Sequence, residues 1–182
     1  MGIALAELNH LDRAAFVAHL GRVYEQSPWV AERAWQERPF DSVQALGSAM
    51  QRAVERAGRD EQLALIRAHP ELAGKLAVAG KLTGDSRAEQ SAAGLDRCTP
   101  EEFARFRELN AAYRSKFDFP FVVAVRGLSR SEILARMARR VVNSPERELS
   151  TCLDEIGRIA RFRLDELIEQ HDVSLKQQES DS

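Results

Sequence analysis

Thr99-Pro-Glu-Glu-Phe-Ala-Arg-Phe-Arg-Glu-Leu-Asn-Ala-Ala-Tyr113 is the stretch whose reading decides the fold class. Threonine can cap a helix, proline suits its first turn, and Glu102 can reach back to the cap's own N–H. Phe103, Phe106, Leu109, Asn110 and Tyr113 then recur at helical spacing. A capped start followed by that period specifies a helix, and the same grammar repeats on both sides of it.

Towards the C-terminus, Ser129-Arg-Ser-Glu132 and Ser144-Pro145 open two further helices. The second is long, with Leu149, Leu153, Ile156, Ile159, Ala160, Arg163, Leu164 and Leu167 along it. Towards the N-terminus, Asn9 is read as the cap of a first helix carrying Leu11, Phe16, Val17, Leu20, Val23 and Tyr24. Ser27-Pro28 opens a segment through Trp29, Val30, Ala34 and Trp35 that stops near Arg38-Pro39. Asp41 is read as the cap of a helix through Val43, Leu46, Met50, Val54 and Ala57, ended by Gly58. Asp60 to Ala68 forms a short helix closed by His69-Pro70. Only Phe119-Pro-Phe-Val-Val-Ala-Val125 resists: it is apolar, β-branched and bounded by Pro120 and Gly127, so it reads as extended, without a strand partner. The expectation is an all-α, single-domain bundle of eight or nine helices over residues 1–172, with one extended segment near 119–126. A polar tail over 173–182 is expected to be disordered.

The bulk numbers exclude several classes. The chain has 182 residues, 44% hydrophobic and 30% charged, enough for a sizeable core. With 26 basic against 28 acidic residues it offers no footprint for nucleic acid or an anionic membrane. No apolar run approaches a membrane span, and the start lacks the pattern of a secretory leader. Cys98 and Cys152 form no CxxC pair and read as reduced thiols of a cytoplasmic protein. The four histidines show no ligand spacing, so no metal is expected.

Four places can carry chemistry. His69, in Arg67-Ala-His-Pro-Glu-Leu-Ala-Gly74, follows a helix and precedes a proline that pushes it out of helical geometry. An imidazole there suits proton transfer, and it suits structural packing equally well. Ser86-x-x-Glu89 reads as a capping box before a helix through Ala92, Ala93 and Leu95. Glu89 and Gln90 could also bind a polar heterocycle beside free backbone N–H groups. The backbone of the extended segment must be satisfied by a ligand, by water or by a neighbouring loop. Arg163, seven residues from Ile156, can face inward and meet an anion, although Arg161 lies close by.

Taken together, Ser27-Pro-Trp-Val30, Arg38-Pro-Phe40, His69-Pro-Glu-Leu-Ala-Gly74, Ser86-x-x-Glu-Gln90, Leu109-Asn-x-x-Tyr113, Lys116-Phe-x-Phe-Pro-Phe121 and Arg126-Gly127, in that order, resemble the 2-oxo-4-hydroxy-4-carboxy-5-ureidoimidazoline (OHCU) decarboxylase family. The resemblance spans about Leu8 to Leu167. It implies a cofactor-free carboxy-lyase that forms (S)-allantoin and carbon dioxide in uric acid breakdown. It implies catalytic His69, assisted by Glu89. It further implies that Pro70, Ser86, Arg87, Glu89, Gln90, the backbone of Phe121, Val122, Val123, Ala124 and Val125, and Arg163 bind the substrate. It implies a homodimer, and because the C-terminus lacks a Ser-Lys-Leu address a cytoplasmic location is expected. A separate hydroxyisourate hydrolase is expected too, because the chain is too short to carry that domain. The rival readings are a non-catalytic helical module of the same fold that binds a ligand or protein, and an enzyme acting on a related ureido or hydantoin substrate.

Overall fold

The computed structural model of the chain describes residues 2–73 and 82–168. Among these, nine α-helices carry the architecture: α1 Leu5–His10, α2 Arg13–Leu20, α3 Trp29–Ala34, α4 Val43–Glu55, α5 Arg59–Ala68, α6 Gly84–Ala92, α7 Pro100–Phe117, α8 Arg130–Arg140 and α9 Pro145–Ile168. Short 3-10 turns at Trp35–Glu37 and Leu95–Arg97 extend α3 and follow α6. The described residues contain no β-strand, so the all-α expectation holds. The polar tail, Gly74 and His171 lie outside the described residues.

The boxes at Thr99 and Ser129 form as read. Glu102 N–H donates to Thr99 Oγ1 at 3.2 Å while Thr99 N–H donates to Glu102 Oε2 at 3.0 Å. The Ser129–Glu132 pair does the same at the start of α8. Several other boundaries are displaced. Asn9 lies inside α1, and Asp12 caps α2 instead. The Asn9 carboxamide brackets Phe40, accepting from its N–H at 2.8 Å and donating to its carbonyl at 2.9 Å. Val23 and Tyr24 fall beyond the end of α2. Ser42, not Asp41, caps α4, which closes at Glu55 before Gly58 is reached. Pro28 stands at the cap of α3 with no side-chain bond, where serine was expected to cap. At α2 and α4 an acceptor one to three residues away fits the first turn better, a choice that hydrophobic period cannot make.

The chain divides into two compact units, residues 1–65 with 157–182, and residues 66–156. In the first, α2 and α4 both pack on α3, burying Phe16, Leu20, Val30, Ala34, Leu46 and Met50. In the second, Phe106, Tyr113, Phe121, Ile133 and Met137 are fully buried. The Tyr113 ring is its aromatic centre, 4.6 Å from Phe117 and 5.4 Å from Phe121, the latter edge-on. Each such side chain taken from water contributes about 1.5–3 kcal/mol, which makes these clusters the main stabilising feature.

Residues 120–125 are neither helix nor strand. Two of their backbone groups find partners in helix side chains rather than in a neighbouring loop. Arg140 Nη1 donates to the Val122 carbonyl at 2.8 Å, and Ala124 N–H donates to Glu155 Oε2 at 2.9 Å.

Candidate active site

His69 stands one residue past α5, its N–H donating to the Ile66 carbonyl at 3.1 Å in the helix's closing turn. Pro70 prevents the helix from continuing, so the imidazole leaves the helix stripe, yet it is only 6% exposed. A buried histidine at a chain exit is a group held in one place, which general acid–base chemistry requires.

Helix α6 begins earlier than the spacing suggested. Thr83 is its cap, its hydroxyl accepting from Ser86 N–H at 3.3 Å. Ser86 and Glu89 therefore do not form a capping box; both sit within the helix, which ends at Ala92. The Ser-x-x-Glu pattern misled because Thr83, three residues upstream, places the same kind of acceptor one turn sooner. Ser86 and Gln90 share the buried face, Glu89 is half-buried, and Arg87 is exposed with its Nη2 donating to the Leu82 carbonyl at 3.4 Å.

Gln90 joins α6 to the exit of α5. Its Oε1 accepts from Ala73 N–H at 3.2 Å, four residues beyond His69. From α7, Asn110 Nδ2 donates to the Leu72 carbonyl at 3.0 Å. His69, Pro70, Ser86, Glu89, Gln90 and residues 121–125 all belong to the second unit.

Behind residues 121–125 lies a charged network the sequence reading missed. Glu148 is completely buried and accepts from Arg140 Nε at 2.7 Å, from Asn143 Nδ2 at 2.7 Å and from the Tyr113 hydroxyl. Arg140 also lies over the Phe121 ring, 4.3 Å from its centroid. Burial pushes the Tyr113 phenol and the Cys152 thiol up, so both stay protonated. Burial disfavours the Arg140 charge, but the bond to Glu148 overrides it and holds the guanidinium ionised. One signal was available: Glu148, Cys152 and Glu155 recur at helical spacing beside the apolar face of α9.

Arg163 belongs to the first unit. It is buried as expected, and a carboxylate already faces it. Nη1 lies 3.1 Å from Glu25 Oε2 and donates to the Arg22 and Val23 carbonyls at 3.4 Å. Arg161, its rival, is only half-buried. Among the described residues no three His, Cys, Asp or Glu side chains gather as metal ligands, and no helix is long and apolar enough to cross a membrane.

A buried imidazole at a helix exit, a carboxylate and a carboxamide on α6, and a backbone segment braced by Arg140 and Glu155 all lie in the second unit. A model of the OHCU decarboxylase family matches residues 9–165, which include every one of these groups. The chain belongs to this family. It is 47% identical to a 2-oxo-4-hydroxy-4-carboxy-5-ureidoimidazoline decarboxylase of Haloferax volcanii, over 90% of this chain and 95% of the relative. It is 42% identical, over 90% of its length, to a uric acid degradation bifunctional protein of a Bacillus species, of which it spans 32%. Among solved structures it is similar to an (S)-allantoin synthase, with TM-score 0.74 and 29% identity over 91% of this chain. The chain spans 54% of that one, about half its length. This OHCU decarboxylase family member thus carries the family's pattern over nearly all of its described residues.

Proposed function

We infer that the protein decarboxylates OHCU to (S)-allantoin and carbon dioxide, the step that completes conversion of urate to allantoin. The observation that carries this reading is the buried, proline-flanked His69 within the residues that match the decarboxylase family. The bond between the ring carbon and its carboxylate breaks, and the electron pair passes into the adjacent unsaturated ring. The hydroxyl on that carbon becomes a carbonyl as it releases its proton, and two protons are taken up, one by the former imine nitrogen of the ring and one by the ureido-bearing carbon. The substrate's own ring delocalises the charge, which leaves orientation and charge placement to the protein.

His69 assists departure of the carboxylate and directs the proton that sets the product's chirality. Glu89 accepts hydrogen bonds from the ureido and ring N–H groups. Gln90 has its Oε1 committed to Ala73, so it offers the substrate its Nε2 donors and suits a substrate carbonyl. Pro70, Ser86, Arg87 and the backbone of residues 121–125 complete the binding surface. Arg163, in the first unit and already neutralised by Glu25, suits a directed hydrogen bond to an anionic group more than the role of a free cation. A homodimer, a cytoplasmic location and supply of the substrate by a separate hydroxyisourate hydrolase belong to the same reading.

The test is optical. The unstable substrate is generated from urate with purified upstream enzymes, the protein is added, and the circular dichroism of allantoin is followed. The protein accelerates the chiral signal, and His69→Asn lowers kcat by about 100-fold or more while remaining folded. A chiral signal no faster than spontaneous decay sinks the enzyme reading, and wild-type rates in the variant sink the role of His69.

A further inference from the structure

One stripe of α7 and its cap grips the chain on both sides of His69. Asn110, Arg114 and Asp118 follow one another at four-residue spacing and so face one way. Arg67, before His69, donates from Nη2 to Asp118 Oδ2 at 2.6 Å and from Nε to the Asp118 carbonyl at 3.1 Å. After His69, Arg114 Nε donates to Glu71 Oε1 at 2.7 Å, and Asn110 Nδ2 to the Leu72 carbonyl at 3.0 Å.

These contacts are not equal. The Arg114 and Asp118 side chains are 51% and 85% exposed, and pairs so wet hold geometry weakly. Asn110 and Leu72 are both buried. Gln90 accepts from the N–H on the other side of the same peptide, so carboxamides from α6 and α7 hold both polar atoms of the Leu72–Ala73 unit. Ala73 has φ +48°, a conformation that an L residue keeps only where its surroundings enforce it. The Asn110 Oδ1, in contrast, is buried and has no hydrogen-bond partner among the described residues. An unmet buried acceptor is destabilising, and an apolar residue of similar size would avoid it. What the asparagine supplies there is its donor to Leu72.

We propose that Asn110 is a positioning residue for His69: by fixing the Leu72–Ala73 peptide it sets the course of the chain beyond Pro70 and the direction of the imidazole. Its consequence for rate rests on the decarboxylase reading; its consequence for His69 geometry does not. Asn110→Leu exchanges one unmet buried atom for another, since Oδ1 disappears while the Leu72 carbonyl loses its donor. The melting temperature therefore stays close to wild type, and Asn110→Ala serves if leucine is too bulky to fold. With substrate, kcat falls by the order of 10- to 100-fold while KM stays within about twofold.

In 1H–15N spectra of the protein without substrate, the His69 imidazole signal, assigned by its loss in His69→Asn, moves. The His10 and His19 signals do not. A folded variant with an unmoved His69 signal and unchanged kcat overturns the proposal. So does a fall in kcat that merely follows loss of folded protein with the His69 signal in place. Because the imidazole signal is read without turnover, an inactive wild-type chain defeats only the functional reading.

Discussion

Glu89 lies about one and a half turns inside α6, and its own carbonyl is taken by the N–H of Ala93. Its carboxylate is therefore not needed to begin the helix, a duty that Thr83 performs. Glutamine matches glutamate in helix propensity and nearly in shape, so Glu89→Gln removes charge with little else changed. The expected outcome is a melting temperature within a few degrees of wild type and kcat/KM lower by about 10-fold or more, in keeping with loss of a charged hydrogen-bond acceptor. Thermal melting paired with the allantoin assay checks it, and full activity in the variant returns Glu89 to the helix surface. For Arg163 the same scale gives a different lesson: a buried arginine already paired with Glu25 presents donors, not net charge.

At the scale of elements, the segment at residues 120–125 shows how a bundle of helices supports a stretch of backbone without a sheet. Its carbonyl at Val122 and N–H at Ala124 are met by Arg140 of α8 and Glu155 of α9, and Arg140 is in turn held by Glu148. Removing one partner of a buried ion pair strands the other and costs about 3–5 kcal/mol. Loss of the exposed Thr99 cap costs about 1 kcal/mol. Each kcal/mol moves the melting point of a domain this size by about 2–4 °C. Glu148→Ala is therefore expected to lower it by roughly 10 °C, several times the effect of Thr99→Ala, in parallel calorimetric scans. An equal effect of the two would mean that the network does not hold the segment. The sequence made Thr99 legible and hid Glu148, and the reason is physical. A cap is a local pattern that its own neighbours satisfy. Glu148, in the first turn of α9, looks like any acid complementing a helix start, and only tertiary packing places Tyr113, Arg140 and Asn143 around it. The shift of the α6 start from Ser86 to Thr83 has a local origin instead, two acceptors competing within one turn.

For the molecule as a whole, what the sequence disclosed was the helical class and the ordered motifs. What it withheld was how buried polar groups are paired, because those pairs join residues far apart in the chain. Its two tyrosines allow both compact units to be observed at once. Tyr24 belongs to the first unit, its hydroxyl 3.3 Å from Gln51 Oε1, and burial followed by the nearby Glu55 charge pushes its phenol up. Tyr113 belongs to the second, pushed up by burial and by its bonds to Cys152 and Glu148. In both the folded chain prefers the neutral phenol. The stability this contributes is complete below the ordinary tyrosine value of 10.0 and is lost as pH rises above it towards the raised folded values. Native protein brought to about pH 10–11, where unfolded tyrosine ionises, is expected to show almost no tyrosinate absorbance at 295 nm. The absorbance should appear together with loss of the helical circular dichroism signal, not before it. If one tyrosine ionises reversibly near pH 10 with the helices intact, its unit does not enclose it as described. If neither does, and the two signals rise in a single step, alkaline unfolding releases both units together.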